Sequence, residues 1–335
     1  MTALQVHRIA PGVTVQDMGR TGYLAYGLSR GGALDRVALA EGAALLGQSA
    51  GLAALEMPGA GGVFEARDDI RIALTGAPMR AQIDETTLVW NASHRLPKGA
   101  RLTIGPVTAG SVGYLHVGGG IATPEMLYAR SAHLAAKVGA AISDGQVLPI
   151  GPDNGAETGL SLPTDARFDG GAIRMVASFQ TDLFDAETRG RFEATTFTRD
   201  ARANRMGMRL NSDGAGFQAK GGLNILSETV VPGDIQMTGD GVPFLLMAES
   251  QTTGGYPRIG TVIPADLAKA AQVPAGKTLS FRFVSRDEAL DAERRHRAYL
   301  ASLPKLCKPL VRDPSQIRDL LSYQLISGAT SGDPK

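Results

Sequence analysis

At 335 residues the chain is long enough for two domains with sizeable cores. A formal charge of +1 and a pI near 7.9, with no basic stripe and no aromatic-basic interleaving, argue against a nucleic-acid or membrane-surface partner. No apolar run approaches the ~20 residues of a membrane span, no signal peptide is visible at the N-terminus, and a lone Cys307 leaves no internal disulfide, so a cytoplasmic setting is expected.

Glycine supplies 42 residues, well above the usual ~7%, which with short β-type runs predicts many tight turns. Residues 13–17 read as a short strand, broken by Asp17-Met18-Gly19-Arg20-Thr21-Gly22. The first clear helix follows, with Asp35 as N-cap, apolar Val37, Leu39, Leu45 and Leu46, and Gly47 just past its end. Strand-like runs are expected at 63–66, 70–74, 79–83, 87–91, 101–105 and 111–117, and Thr123-Pro124-Glu125 reads as the start of a short helix.

The stretch 151–170 is low in large apolar residues and reads as an inter-domain linker. Beyond it a strand is expected at 172–177, a helix near 182–192, and strands at 206–210, 223–227, 234–238, 243–248 and 278–284. Pro264-Ala265-Asp266-Leu267 starts a short helix. Ser285-Arg286-Asp287-Glu288 has the form of a capping box and opens a helix to about Leu300; Asp313-Pro314 starts a last one. The expected division is a β-rich domain over 1–160, a β-barrel domain over 161–288 and a helical tail over 289–335.

The densest polar chemistry follows the apolar run Phe244-Leu245-Leu246-Met247. There Glu249, Gln251, Thr252, Gly254, Gly255, Tyr256 and Arg258 place an acid, an amide, hydroxyls, paired glycines and a guanidinium in one turn. A Gly-rich turn closing a barrel is the simpler alternative. Gly27-Leu28-Ser29-Arg30-Gly31 matches the G-x-S-x-G of a hydrolase nucleophile elbow, but no buried strand runs straight into a helix there. Gly276-Lys277-Thr278 precedes a strand and not a helix, so it reads as a turn and not a phosphate loop. The five histidines lie far apart, without metal spacing; His116, in an apolar strand, reads as a hydrogen-bonded core residue.

Several ordered stretches resemble one family: Val15-Gln16-Asp17-Met18-Gly19-Arg20-Thr21-Gly22, Gly31-Gly32-Ala33-Leu34-Asp35, Gly118-Gly119-Gly120-Ile121, Arg205-Met206-Gly207, Pro232-Gly233-Asp234-Ile235-Gln236 and Gln251-Thr252-Thr253-Gly254-Gly255-Tyr256-Pro257. Together they resemble the KipA-type proteins, also called allophanate hydrolase subunit 2 or the biotin-dependent carboxyltransferase-like family, over about residues 12–284. The resemblance implies a mainly β fold with cyclophilin-like barrels. It also implies two partners, a KipI-like B subunit and, for 5-oxoprolinase, an A subunit. Together, with ATP and Mg2+, these would open the cyclic amide 5-oxo-L-proline to glutamate.

On that reading Glu249, Gln251, Arg20 and Asp17 are the catalytic candidates. Thr252, Gly254, Gly255, Tyr256, Arg258, Arg205, Gln236 and Asp35 are candidates for binding substrate or nucleotide, and no metal ligands are assigned. Each charged candidate could equally be a structural ion pair. The chain has Glu249 and Asn204 where the family usually has Asp. Two alternatives stay open: the carboxyltransferase part of a biotin-dependent urea- or guanidine-type carboxylase, and a KipI-binding regulator without chemistry of its own. The chain has no Met-Lys-Met segment for attaching biotin, so the first would need a carrier on another polypeptide.

Overall fold

A computed structural model describes residues 2–220 and 225–311. The N-terminal part is two β-sheets packed face to face. One has six strands in the order Val147–Pro149, Ala3–Ile9, Gly62–Ala66, Arg101–Val107, Met79–Ile83, Thr86–Thr87; the other has seven and is centred on Ala54–Pro58, Val112–Val117, Ile70–Gly76 and Ala92–Leu96. Alternation along these strands sends Leu4, Val6, Phe64, Leu102 and Ile104 from the first sheet, and Leu55, Met57, Ile72, Leu74, Leu115 and Val117 from the second, into one shared core.

The second part is a closed seven-stranded barrel. Its strands run in the order Gly171–Val176, Arg258–Val262, Asp234–Met237, Pro243–Leu246, Gly207–Asn211, Phe197–Arg199, Thr278–Phe283. The pairing that closes it, Gly171–Val176 with Thr278–Phe283, is parallel; the others are antiparallel. Phe192, Phe197, Phe217 and Phe281 stack and tilt against one another inside, with ring centroids 4.9–5.7 Å apart.

Four α-helices complete the described residues: α1 (Arg36–Leu46), α2 (Ala186–Ala194), α3 (Pro264–Gln272) and α4 (Arg286–Leu306). In α1, the Asp35 carboxylate accepts from Ala38 N and Gly47 ends the helix in the left-handed region. The Ser285/Glu288 capping box is formed in both directions, and α4 runs past Leu300 to Leu306. It packs Tyr299, Leu300 and Leu303 against Leu45 and Leu46 of α1.

Two expectations need correction. Residues 123–125 form no helix: Ile121 bridges Ile150, Ala122 N bonds Pro149 O, and Leu127 and Tyr128 take positive φ, so pairing to the first sheet overrides the Pro start signal. Of the 87–91 run only Thr87 belongs to a strand; the chain turns through Asn91 at φ 56° and the next strand begins at Ala92. The 151–170 stretch is largely irregular yet packed, burying Leu162, Arg167 and Phe168. The expected helix from Asp313 lies outside the described residues, as does part of the 223–227 run.

Buried polar contacts stitch barrel to sandwich. Gln272, at the end of α3 and fully buried, accepts from Ser111 N (3.0 Å) and Val112 N (3.1 Å) and donates to Asp35 Oδ2 and Val112 O, both at 2.8 Å. Arg167 donates to Asp35 and to both oxygens of Glu41 on α1.

Candidate functional site

The strand Pro243–Leu246 delivers the 247–258 turn to one end of the barrel, where it meets the strand Asp234–Met237. Gln251 Nε2 donates to Gln236 Oε1 at 3.2 Å, and Gln236 Nε2 is buried without a partner among the described residues. A Cβ on Gly254 would sit 2.5 Å from that nitrogen, so glycine is what lets the amide lie there. Thr253–Gly254 pairs with Glu228–Thr229, and the carbonyl of buried Thr252 accepts from Val230 N. Gln251, Gln236 and half-exposed Tyr256 line a cavity of about 500 Å3 with Arg202, Asn204 and Arg209.

A second cavity, of about 630 Å3, opens between sandwich and barrel and takes in Arg205 and Glu249 among mainly apolar neighbours; Asn204 and Met206 line both spaces. Arg205 donates through Nε to Glu249, through Nη1 to Glu56 and through Nη2 to Gly32 O at 2.7 Å. Burial works against its charge, but Glu56 and Glu249 outweigh burial and hold the guanidinium above its ordinary range. Glu56 also accepts from Tyr114 Oη (2.7 Å) and Leu34 N (2.8 Å), while Glu249 Oε2 accepts from Ala135 N at 3.0 Å. Asn204 Oδ1 caps the turn from Met206 N at 2.8 Å, a bond its carbonyl makes without needing a charge.

The sequence candidates therefore separate by what they touch. Gln251, Gln236 and Tyr256 line the first cavity, which lies on the outer face of the barrel because its strand residues Arg209, Gln236 and Phe244 alternate with the inward-facing Met208, Ile235 and Leu245, and Gly254 makes room for Gln236; Glu249 and Arg205 meet in the second. A Cβ on Gly255 would lie 3.3 Å from Ser227 Oγ, a tight contact. Arg258 is buried on Gln180, Thr229 O, Asp234 and Glu228. Asp35 caps α1 and holds Arg167 and Gln272, away from either cavity lining. Asp17 accepts from Gly19 N (2.8 Å) and Arg130 N (2.6 Å). Arg20 is almost fully buried, with Nη2 on Ser131 O.

Two residues outside the candidate set stand beside Arg20. Ser29 Oγ is 2.8 Å from His133 Nε2, and Glu249 Oε2 is 3.8 Å from His133 Nδ1, an order of groups that resembles a Ser-His-acid triad. The hydrogen bonding opposes that role. Ala136 N donates to Nδ1 at 3.2 Å, so in the neutral ring the proton sits on Nε2 and points at Ser29, and the acid is beyond hydrogen-bond range. Burial, against the pull of Glu249 and with Arg20 nearby, lowers the His133 pKa and keeps it neutral. Ser29 thus accepts a hydrogen bond where a nucleophile must give up its proton. The G-x-S-x-G spacing pointed at Ser29; nothing in the local sequence pointed at His133, which folding brings in from 104 residues away.

The profile of the carboxyltransferase domain, subdomain A and B, matches residues 26–283. The chain belongs to this carboxyltransferase-domain family. It is 32% identical to the 5-oxoprolinase C subunit of Haemophilus influenzae, over 88% of this chain and 95% of that one. To the 5-oxoprolinase C subunit of Escherichia coli it is 34% identical, over 90% and 97%. The crystal structure of the K. lactis urea amidolyase superposes with a TM-score of 0.80 at 23% identity, covering 93% of this chain but 21% of that longer one, a likeness of fold. Among the described residues no helix of this carboxyltransferase-domain chain is long and apolar enough to cross a membrane.

Proposed function

We propose that this chain is the C subunit of an ATP-dependent 5-oxoprolinase-type complex that opens 5-oxo-L-proline to L-glutamate in the cytoplasm, together with a KipI-like B subunit and an A subunit. The observation that carries the reading is the match to two 5-oxoprolinase C subunits across nearly their whole length. The cavity on the barrel's outer face supports it chemically. A five-membered lactam presents one C=O acceptor and one N–H donor, and the cavity lining includes the side-chain amides of Gln251 and Gln236, with Tyr256 beside them. Arg209, bonded among the described residues only through Nε to Asn211, lines the same cavity and suits a substrate that carries a carboxylate, whereas Arg202 beside it is already paired with Asp200.

Three of the residues first considered for nucleotide, Arg205, Arg258 and Asp35, are engaged in internal pairs and are not free to receive one on this chain alone. In this proposal the nucleotide is bound by the other two polypeptides, and this chain positions the lactam.

The test is co-expression with the candidate A and B subunits. Co-purification of all three, with phosphate release from ATP that depends on 5-oxo-L-proline, is expected; a stable complex whose ATP turnover ignores 5-oxo-L-proline would overturn the reading. The similarity in fold to urea amidolyase favours a second reading, carboxyl transfer from a biotin carrier on another polypeptide. Labelled carboxyl transfer from carboxybiotin to urea, in a complex inert toward 5-oxo-L-proline, would establish it.

A further inference from the structure

Nothing in the proposed lactam chemistry uses the cavity between sandwich and barrel. At about 630 Å3 it is as large as an ordinary small-molecule site, and its walls are mainly apolar. Pro58, Val107 and Val112 come from the sandwich, and Met206, Met208 and Met247 from the barrel. Three thioethers on one wall suit an apolar body of variable outline, because unbranched, polarizable methionine repacks around what it meets.

Most of the polar groups on these walls are already engaged. Glu249 accepts from Arg205 and from Ala135 N, and Asn204 Oδ1 accepts from Met206 N. Arg199, the last residue of the barrel strand Phe197–Arg199, lines the same cavity and differs. Its Nη1 donates to Ser111 Oγ and Val273 O, which fixes the guanidinium where barrel meets sandwich, and its Nε is buried without a partner among the described residues. Nη2 bonds nothing among those residues either, yet unlike Nε it is not sealed from solvent, so it is the nitrogen that a ligand can reach. No carboxylate offsets burial here: burial acts alone on this guanidinium and lowers its pKa, whereas two acids outweigh it at Arg205. An arginine stays charged even so. The cavity therefore joins a large apolar wall to one guanidinium that has no acid of its own.

We propose that this cavity binds a small amphipathic carboxylate, with its hydrocarbon body against the methionine wall and its head group received by Arg199. Arg199 does not line the cavity on the barrel's outer face. The site therefore does not depend on which amide the complex opens.

The test uses the full chain, isotope-labelled at its methionine methyl groups and titrated with sodium octanoate in exchange for sodium chloride, so that ionic strength is held fixed. Saturable NMR shifts are expected at Met206, Met208 and Met247, with Met175 and Met237 of the barrel core and the exposed Met126 unmoved. Octanol, which keeps the hydrocarbon and lacks the charge, should bind roughly tenfold or more weakly, the loss of one charge-assisted contact. Arg199→Gln should bring octanoate down to the affinity of octanol. Should that variant not fold, Ala203→Phe keeps every charge and adds a ring at the cavity wall; it should abolish the three shifts. No shift at the three methyl groups, shifts that spread equally to Met126, Met175 and Met237, or equal affinity for octanol and octanoate would overturn the proposal.

Discussion

Arg205 shows at the scale of one residue how a candidate for binding substrate or nucleotide also serves as a buried ion-pair bridge. Its guanidinium bridges Glu56 from the sandwich and Glu249 from the barrel turn, and both carboxylates are buried. Removing it strands two buried charges, so Arg205→Ala should destabilise the chain by about 3–5 kcal/mol in urea unfolding; a loss below about 1 kcal/mol would show the pair to be solvated. The imidazole of His116 behaves as a core group, bonded to Thr75 Oγ1 at 2.8 Å, with burial driving its pKa down to about 3. Between that value and the ~6.5 of an unfolded histidine, the unfolded chain binds a proton that the native one refuses. The stabilisation is therefore complete above pH ~6.5 and is lost as pH falls toward 3, on the order of a few kcal/mol. His116→Gln should flatten the slope of stability against pH in that window, and parallel profiles would contradict this. That His116 is a core residue was legible from its apolar strand. What lies over it was not: a Cβ on Gly42 of α1 would come within 2.4 Å of the ring, so Gly42→Ala should destabilise by roughly 1–3 kcal/mol despite alanine's better helix propensity.

Among the elements, those specified by local chemistry read directly from sequence. The Asp35 cap, the Gly47 stop and the Ser285/Glu288 capping box each satisfy helix-end groups with residues a few positions away. Elements set by long-range pairing did not. The strand Ala3–Ile9 has no turn signal ahead of it, and residues 121–129 trade a helix start for bridges to Ile150 and within the loop. Nor did sequence show that α3 serves as a connector through Gln272. Gln272→Ala would leave Ser111 N and Val112 N without their buried acceptor, while Val112 O keeps its bond from Ala77 N, and a loss of about 2–4 kcal/mol is expected. A value near zero in thermal unfolding would mean that water replaces the side chain. The 247–258 turn was legible as a polar cluster. Its division between two cavities was not, because that depends on the 204–206 turn arriving from another part of the barrel.

For the whole molecule, a two-sheet sandwich and a closed barrel are joined by buried polar contacts, with one cavity between them and another on the outer face of the barrel. The ordered family motifs carried the mainly β architecture further than periodicity did, since short strands between glycines fix no sheet order by themselves. In the assembled complex Gln251→Ala should lower kcat/KM for 5-oxo-L-proline roughly tenfold or more while leaving co-purification intact, because it removes an amide from the cavity and, within the fold, a single 3.2 Å bond to Gln236; an unchanged kcat/KM would remove Gln251 from the site. The most direct measurement is the initial rate of L-glutamate formation from 5-oxo-L-proline and ATP by separately purified A and B subunits, with and without this chain. Glutamate appearing in step with phosphate only when the chain is added is the expected result. An equal rate in its absence, or an assembled complex that leaves 5-oxo-L-proline intact, would contradict the assignment.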